Sequence, residues 1–473
     1  MKKRFSGIFA LLLLCIFPLQ AEEQPAQPQP TEKPITHNIK TETILPDTIG
    51  SKTLPTATAE QFFVYSSQAG ATETVQIYNA ETLEVHSYIT AIGYLMEFIK
   101  ENKNPAYINV RFQGSIFAIA KEDIARYIFL DELKSFPHYI NENGQVMHYV
   151  EGNPVAENSW YFKAHLGTAP AWMQPNKEYY SFDGNHFFEN ITDLGEEQPE
   201  KHAINKGYPY YPYYLYLPMR SKTTYTALDI SRSFNQIYHN SGYTGKTSKL
   251  INSANHFLEA EAKYGINALF LLSIAMNESA FGTSGYAIEQ NNLFGYNAVD
   301  SYPDNADKFP NVKTGILEVA NLLSWSYGDS DYEEARNYYG AHLGNKASGM
   351  NVKYASDPFW GEKAATNMWF LDSQLDYADF QHYALGIAKQ ETKVTWDERL
   401  KDQAFIYKKS TSSLVNMYPI ILLDDNRKTK IMLEPPYNAN KTVGDLTETG
   451  GEYNWYHGYT KKKNYFRLND AKE

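Results

Sequence analysis

Residues 268–284 read ALFLLSIAMNESAFGTS, and this stretch decides what kind of fold must surround it. From Ala268 to Met276 nearly every position is apolar, so a helix there has no polar face and belongs inside a core. Asn267 offers a side-chain acceptor to the first free N–H groups, and Gly282 stops the run. The helix ends on Glu278. A carboxylate at that place is partly desolvated and faces the negative end of the helix dipole. Both effects raise its pKa, as a general acid requires. A solvated Glu at a frayed helix end fits the same residues, and sequence physics alone leaves both readings open.

Helical periodicity extends to either side. It predicts helices over 226–239 and 249–263, the latter ended by Gly265, another over GILEVANLLSWSY (315–327), and one running through GEKAATNMWFLDSQLDYADFQHYALGIA (361–388). Ahead of these, YPYYPYYLYLPM (208–219) carries Pro209, Pro212 and Pro218, which remove donors and fix φ, so it reads as a packed connector. From Phe62 short alternating runs predict antiparallel hairpins, with turns at Gln113-Gly114, Gly152-Asn153 and Asp183-Gly184. One helix is predicted among them, over 87–100, with Ile89, Ile92, Leu95, Phe98 and Ile99 near one face. Alternation returns from about residue 395 in QAFIYKK, YPIILLD, KIML and YNWYHGY, which predicts a small β-module.

The 473 residues allow about three domains. With 43% hydrophobic and 21% charged residues the composition is that of a globular chain, neither disordered nor polytopic. A net charge of -12 counts against nucleic acid, which needs a basic face. MKKRFSGIFALLLLCIFPLQA at the N-terminus has the layout of a secretory signal peptide, too short to span a bilayer comfortably, so no stable membrane span is expected after cleavage. The single cysteine, Cys15, leaves with it, which excludes disulfides and thiolate metal sites from the mature chain. Residues 22–57, rich in Pro, Thr, Gln and Glu, read as a disordered linker. No HExxH, P-loop or dinucleotide fingerprint occurs, and neither a metal nor another cofactor is implied. His138, His148 and His186 lie singly among aromatics and read as structural.

Three blocks carry a resemblance: the helix ending in NESAFGTS, then NNLFGYNAVDSYP (291–303), then YASDPFW (354–360). In this order they resemble the bacterial glucosaminidase domain of glycoside hydrolase family 73, the peptidoglycan N-acetylglucosaminidases. The likeness runs from about 250 to 372, and LGTAPAWMQPNKEYYSFDG and YLPMRSKTTYT upstream resemble the accessory region of some exported members. It implies a multidomain α+β protein, in which an α-helical lysozyme-like catalytic domain is flanked by a β-rich N-terminal region and a small β C-terminal module, SH3-like. The boundaries expected are signal peptide 1–21, linker 22–57, β-rich accessory region 58–220, catalytic domain 221–385 and C-terminal module 390–473.

The function implied is that of an exported peptidoglycan hydrolase of autolysin type, secreted or held at the cell wall through its β-modules. It would cut the β-1,4 bond after N-acetylglucosamine in glycan strands, with Glu278 at the family's acid position. Asn292 and Phe294 match the block lining the cleft floor, although Phe294 suits a core better than a contact. Tyr354 matches a tyrosine near the reacting sugar, where its hydroxyl could orient the acetamido group or a water. Tyr296, Tyr302 and Trp360 offer flat faces for sugar C–H groups. Asp357 and Pro358 read as turn formers.

The family's second acid has no Glu here; Asp300 is the candidate, with attack by the substrate's own acetamido group the alternative. Two rival readings stand beside this one, a catalytically weak wall-binding scaffold and a lytic transglycosylase. Because the acid and all three blocks fall within 226–380, the helical part alone is expected to cut small soluble glycans.

Overall fold

The computed structural model describes residues 54, 62–66, 74–90, 93–157, 159–195, 199–296, 307–328, 337–389, 391–407, 418–437, 441 and 452–468. The leader and, Leu54 apart, the linker read from sequence lie outside them. No helix among the described residues is long and apolar enough to cross a membrane.

Seven strands build the first sheet: β1 (Phe62–Ser66), β2 (Thr74–Asn79), β3 (Val85–Thr90), β4 (Leu95–Glu101), β5 (Tyr107–Phe112), β6 (Ser115–Ala120) and β7 (Ile124–Phe129). They lie in the order β3-β2-β6-β5-β4-β1-β7, with antiparallel neighbours. The helix expected over 87–100 is therefore two strands. Gly93, at φ 90°, takes a backbone conformation no helix accepts, and the apolar residues fill cores on both faces of the sheet, Leu95 packing with Ile128 and Met96 with Ile89. The turn expected at Gln113-Gly114 joins β5 to β6.

A second antiparallel sheet, in the order β10-β9-β8-β11, holds β8 (His138–Glu142), β9 (Gln145–Glu151), β10 (Trp160–Thr168) and β11 (Glu178–Tyr179). Its tight turn is at Asn143-Gly144, whose positive φ values of 52° and 82° suit a two-residue hairpin. The two sheets share one core, with Ile77, Val110 and Phe117 from the first and Val146, Val150 and Phe162 from the second. Ala347 and Phe359, from far along the chain, complete that core.

The helical lobe follows a packed connector whose single helical turn, α1 (Tyr213–Tyr216), is wholly buried. α2 (Ala227–Asn240) opens on a capping box between Thr226 and Asp229. α3 (Ala254–Tyr264) starts five residues later than its apolar pattern suggests and closes on Gly265 at φ 66°. α4 (Ala268–Glu278) is capped by Asn267, which accepts from Leu269 N and Phe270 N at 2.9 and 3.1 Å. Everything from Ala268 to Met276 in it is buried. α7 (Trp360–Ser373) packs along α4 and α6 (Val312–Ser326) along α3, and with α5 (Gly285–Gln290) they share one core.

A third sheet, in the order β14-β13-β17-β16-β15-β12-β18, comprises β12 (Ala384–Ala388), β13 (Lys393–Thr395), β14 (Gln403–Ile406), β15 (Tyr418–Leu422), β16 (Lys428–Met432), β17 (His457–Lys461) and β18 (Tyr465–Arg467). It begins inside the span expected to be helical: ALGIA is a strand, since a short apolar run serves a buried strand as well as a helix. Leu385, Ile387 and Ile421 pack into the helical core. Arg220, fully buried, ties the parts together by donating to Glu434 O at 2.9 Å, Tyr264 O at 2.6 Å and Ser324 O at 2.7 Å.

Candidate active site

Helix α4 delivers Glu278 to a half-buried position at its C-terminal end. The chain reverses at once: Ala280, Phe281 and Gly282 all have positive φ, two of them at a cost that L-residues seldom bear. Gly282 is required there, because a Cβ would stand 2.7 Å from Ser248 Oγ and 2.8 Å from Leu250 N. Ser279 pins the turn, its hydroxyl donating to Ala275 O and accepting from Gly282 N at 2.8 Å.

Trp360, the first residue of α7, lies wholly within the core and donates its indole N–H to Glu278 Oε1 at 2.5 Å. Asn277 Nδ2 reaches the same oxygen at 3.5 Å. The Glu278 carboxyl is pushed up to about 7, first by burial and then by the negative Asp357. The Trp360 and Asn277 hydrogen bonds and the Lys363 charge work the other way without overcoming burial. The acid therefore keeps its proton near neutral pH, as a proton donor must.

The ring of Tyr354 stacks on Trp360 with centroids 4.4 Å apart. Burial, followed by the charges of Glu278 and Tyr327, holds its phenolic proton well above the ordinary range, so it stays a neutral hydroxyl. Beneath lies an ion pair absent from the sequence reading: Lys363 Nζ meets Asp357 Oδ2 at 2.5 Å, both side chains 8% exposed. Burial works against the Lys363 charge, yet Asp357 and Tyr161 outweigh it and raise its pKa. Asp357 Oδ1 also accepts from Phe359 N at 2.9 Å, so the residue is an anchor as well as a turn former.

The other expected contacts fall differently. Trp360 offers no open face to a sugar, being fully buried; its contribution is the N–H. Asn292 is 1% exposed and its amide is spent on its own loop, donating to Tyr296 O and Asp307 O and accepting from Phe294 N and Tyr296 N. Phe294 belongs to the helical core. Tyr296 is half-buried, its ring 6.5 Å from that of Phe309. Asp300 and Tyr302 lie outside the described residues. His148 is structural, 2.7 Å from Glu362 and stacked on Tyr139. Among the described residues no three His, Cys, Asp or Glu side chains gather in a way that could hold a metal ion.

Residues 254–373, which contain this arrangement, match the family Glucosaminidase, described as mannosyl-glycoprotein endo-beta-N-acetylglucosaminidase. This segment is a glucosaminidase domain. Two relatives from strains of Streptococcus pneumoniae, each named "Putative endo-beta-N-acetylglucosaminidase", are 35% identical over 255 residues, which is 53% of this chain. The chain spans about a third of the length of these curated relatives, 32% and 30% respectively. Among solved structures, S. aureus autolysin E in complex with the muropeptide NAM-L-ALA-D-iGLU aligns at 21% identity over 34% of this chain and 73% of that one, with a TM-score of 0.27. A major bifunctional autolysin aligns at 20% identity over 40% of this chain and 79% of its own, with a TM-score of 0.26. The glucosaminidase domain thus takes in α3 to α7, and with them Glu278, Tyr354, Asp357, Trp360 and Lys363.

Proposed function

We propose that the protein is an exported peptidoglycan hydrolase that cleaves the β-1,4 bond after N-acetylglucosamine, with Glu278 as its general acid. The observation that carries this reading is the Glu278 carboxyl, raised to about 7 at the end of a buried helix inside a glucosaminidase domain. Proton transfer from Glu278 to the glycosidic oxygen releases the sugar alcohol while oxocarbenium character builds at the anomeric carbon. Tyr354, neutral and beside the acid, would orient the acetamido group, whose oxygen attacks the anomeric carbon. Water then opens the cyclic intermediate as Glu278, now a carboxylate, takes up a proton. In the other route Asp300 would activate the water directly. Location at the cell wall, and wall binding by an SH3-like C-terminal module, complete the proposal.

The test is digestion of purified sacculi followed by mass spectrometry of the products. N-acetylglucosamine reducing ends are expected; anhydro-muramic ends would mean a transglycosylase, and no products a scaffold. Glu278→Gln should bind glycan and cut at least about 10²-fold more slowly, the usual contribution of an acid catalyst.

A further inference from the structure

The segment bearing Tyr354 and Asp357 is gripped from outside the glucosaminidase domain. Strand β3 lies along it: His86 Nε2 is 2.9 Å from Lys346 O, Ser87 Oγ donates to Val352 O at 2.5 Å, the Tyr88 hydroxyl donates to Lys353 O at 3.0 Å, and Thr90 N donates to Ser356 O at 3.1 Å. Gln113, carried out on the β5–β6 turn, holds both ends, donating to Pro358 O at 2.8 Å and accepting from Lys346 N at 2.9 Å.

The segment's internal tie leans on the same strand. Lys346 is fully buried and donates to Asn351 O at 2.8 Å and to Ala355 O, and its ammonium lies 5.1 Å from the centroid of the Tyr88 ring. Phe359, one residue before Trp360, is buried in the core of the two N-terminal sheets. Buried carbonyls left without these donors would cost free energy, so the segment has reason to keep this one path.

We propose that β3 and Gln113 form a positioning element of the active site, fixing residues 346–358 so that Tyr354 stays stacked on Trp360 and the Trp360 N–H stays on Glu278. On this account the β-rich region belongs to the catalytic unit, and the expectation that residues 226–380 suffice for cutting soluble glycans is replaced. The inference rests on the proposed hydrolase activity only for its kinetic consequence.

The test uses the full chain carrying Ser87→Ala with Gln113→Asn, the Asn keeping an amide and tolerating the φ of 46° while being too short to reach both ends. Amide hydrogen exchange over 350–359 should quicken at least about tenfold while α4 keeps its protection, since each lost hydrogen bond is worth up to roughly that factor. On a soluble glycan fragment kcat should fall about tenfold at unchanged KM, with the alkaline limb of the pH profile displaced. Unchanged exchange in the folded double variant overturns the proposal, as does faster exchange with an unaltered kcat and pH profile. Should the parent chain cut no glycan, the proposed function fails and the exchange measurement alone decides this inference. Should the double variant not fold, Ser87→Ala alone is read by the same two criteria.

Discussion

The indole N–H of Trp360 meets Glu278 Oε1 at 2.5 Å, across 82 positions of sequence. This bond favours the ionised form of the acid and so restrains a pKa that burial raises. Trp360→Phe removes the donor and keeps an aromatic ring beneath Tyr354. A hydrogen bond to a charged group is worth about 1.5 to 3 kcal/mol, or roughly one to two pKa units. The alkaline limb of kcat, where Glu278 loses its proton, should move up by on the order of one to two pH units. A limb that stays in place shows that the N–H does not set the acid's pKa.

Asp357 and Lys363 are a buried pair whose members depend on each other. Asp357→Asn strands the ammonium and should cost about 3 to 5 kcal/mol in urea unfolding. The double change Asp357→Asn with Lys363→Met should recover a large part of that loss. Additive losses would mean that the two side chains act independently.

The helical lobe was largely legible because its signals are local. Asn267, Gly265 and the nearly unbroken apolar run of α4 mark that helix within a residue of where it lies. Glu278 could be singled out for the same reason. The stretch 87–100 misled because Ile89, Ile92, Leu95, Phe98 and Ile99 recur at helical spacing, while β3 and β4 show no simple alternation to set against it; Gly93 was the residue that could have separated the two. Trp360 as a hydrogen-bond donor, and the Asp357 pair, depend on α7 meeting α4 and on the second N-terminal sheet meeting α7. No pattern along the chain encodes such meetings. Asn292 sits in the block linked to the cleft, yet only the loop's geometry reveals that its amide is fully used.

Stability should fall as pH rises through the neutral range. Glu261, Glu278 and Glu434 are each raised from 4.5 to about 7, and Glu151 to about 8, all chiefly by burial. Between pH 4.5 and about 7 the folded state therefore binds more protons than the unfolded chain, and the stability this provides is lost as pH climbs through the folded values. His165 and His342, lowered by burial from 6.5 to about 4 and about 3, act in the opposite sense below pH 6.5 but are outnumbered by the four carboxyls, and Lys346, lowered from 10.5 to about 7, does so only above about pH 7. Melting temperatures measured from pH 5 to pH 7 should decline, and Glu278→Gln should flatten the decline. A rise over that interval contradicts the assignment.

The attacking group is decided by stereochemistry. With the acetamido route, proton NMR of the first-formed product shows retention. Asp300→Asn then stays within a few-fold of wild type, whereas Tyr354→Phe loses about tenfold or more, the value of one hydrogen bond to a developing charge. An inverted product, together with a loss of about 10²-fold in Asp300→Asn, would assign the water to Asp300.

The hydrogen bond from Ser87 to Val352 joins residues 265 positions apart. Synthesis proceeds from the N-terminus, so β3 is made long before the segment it grips, and closing so wide a loop costs entropy before any contact repays it. Helix α4 can form with its acid in place while its surroundings are still missing. A growing or half-folded chain is on this account chemically silent, and the capacity to cut arrives last, when the two distant ends of the fold meet.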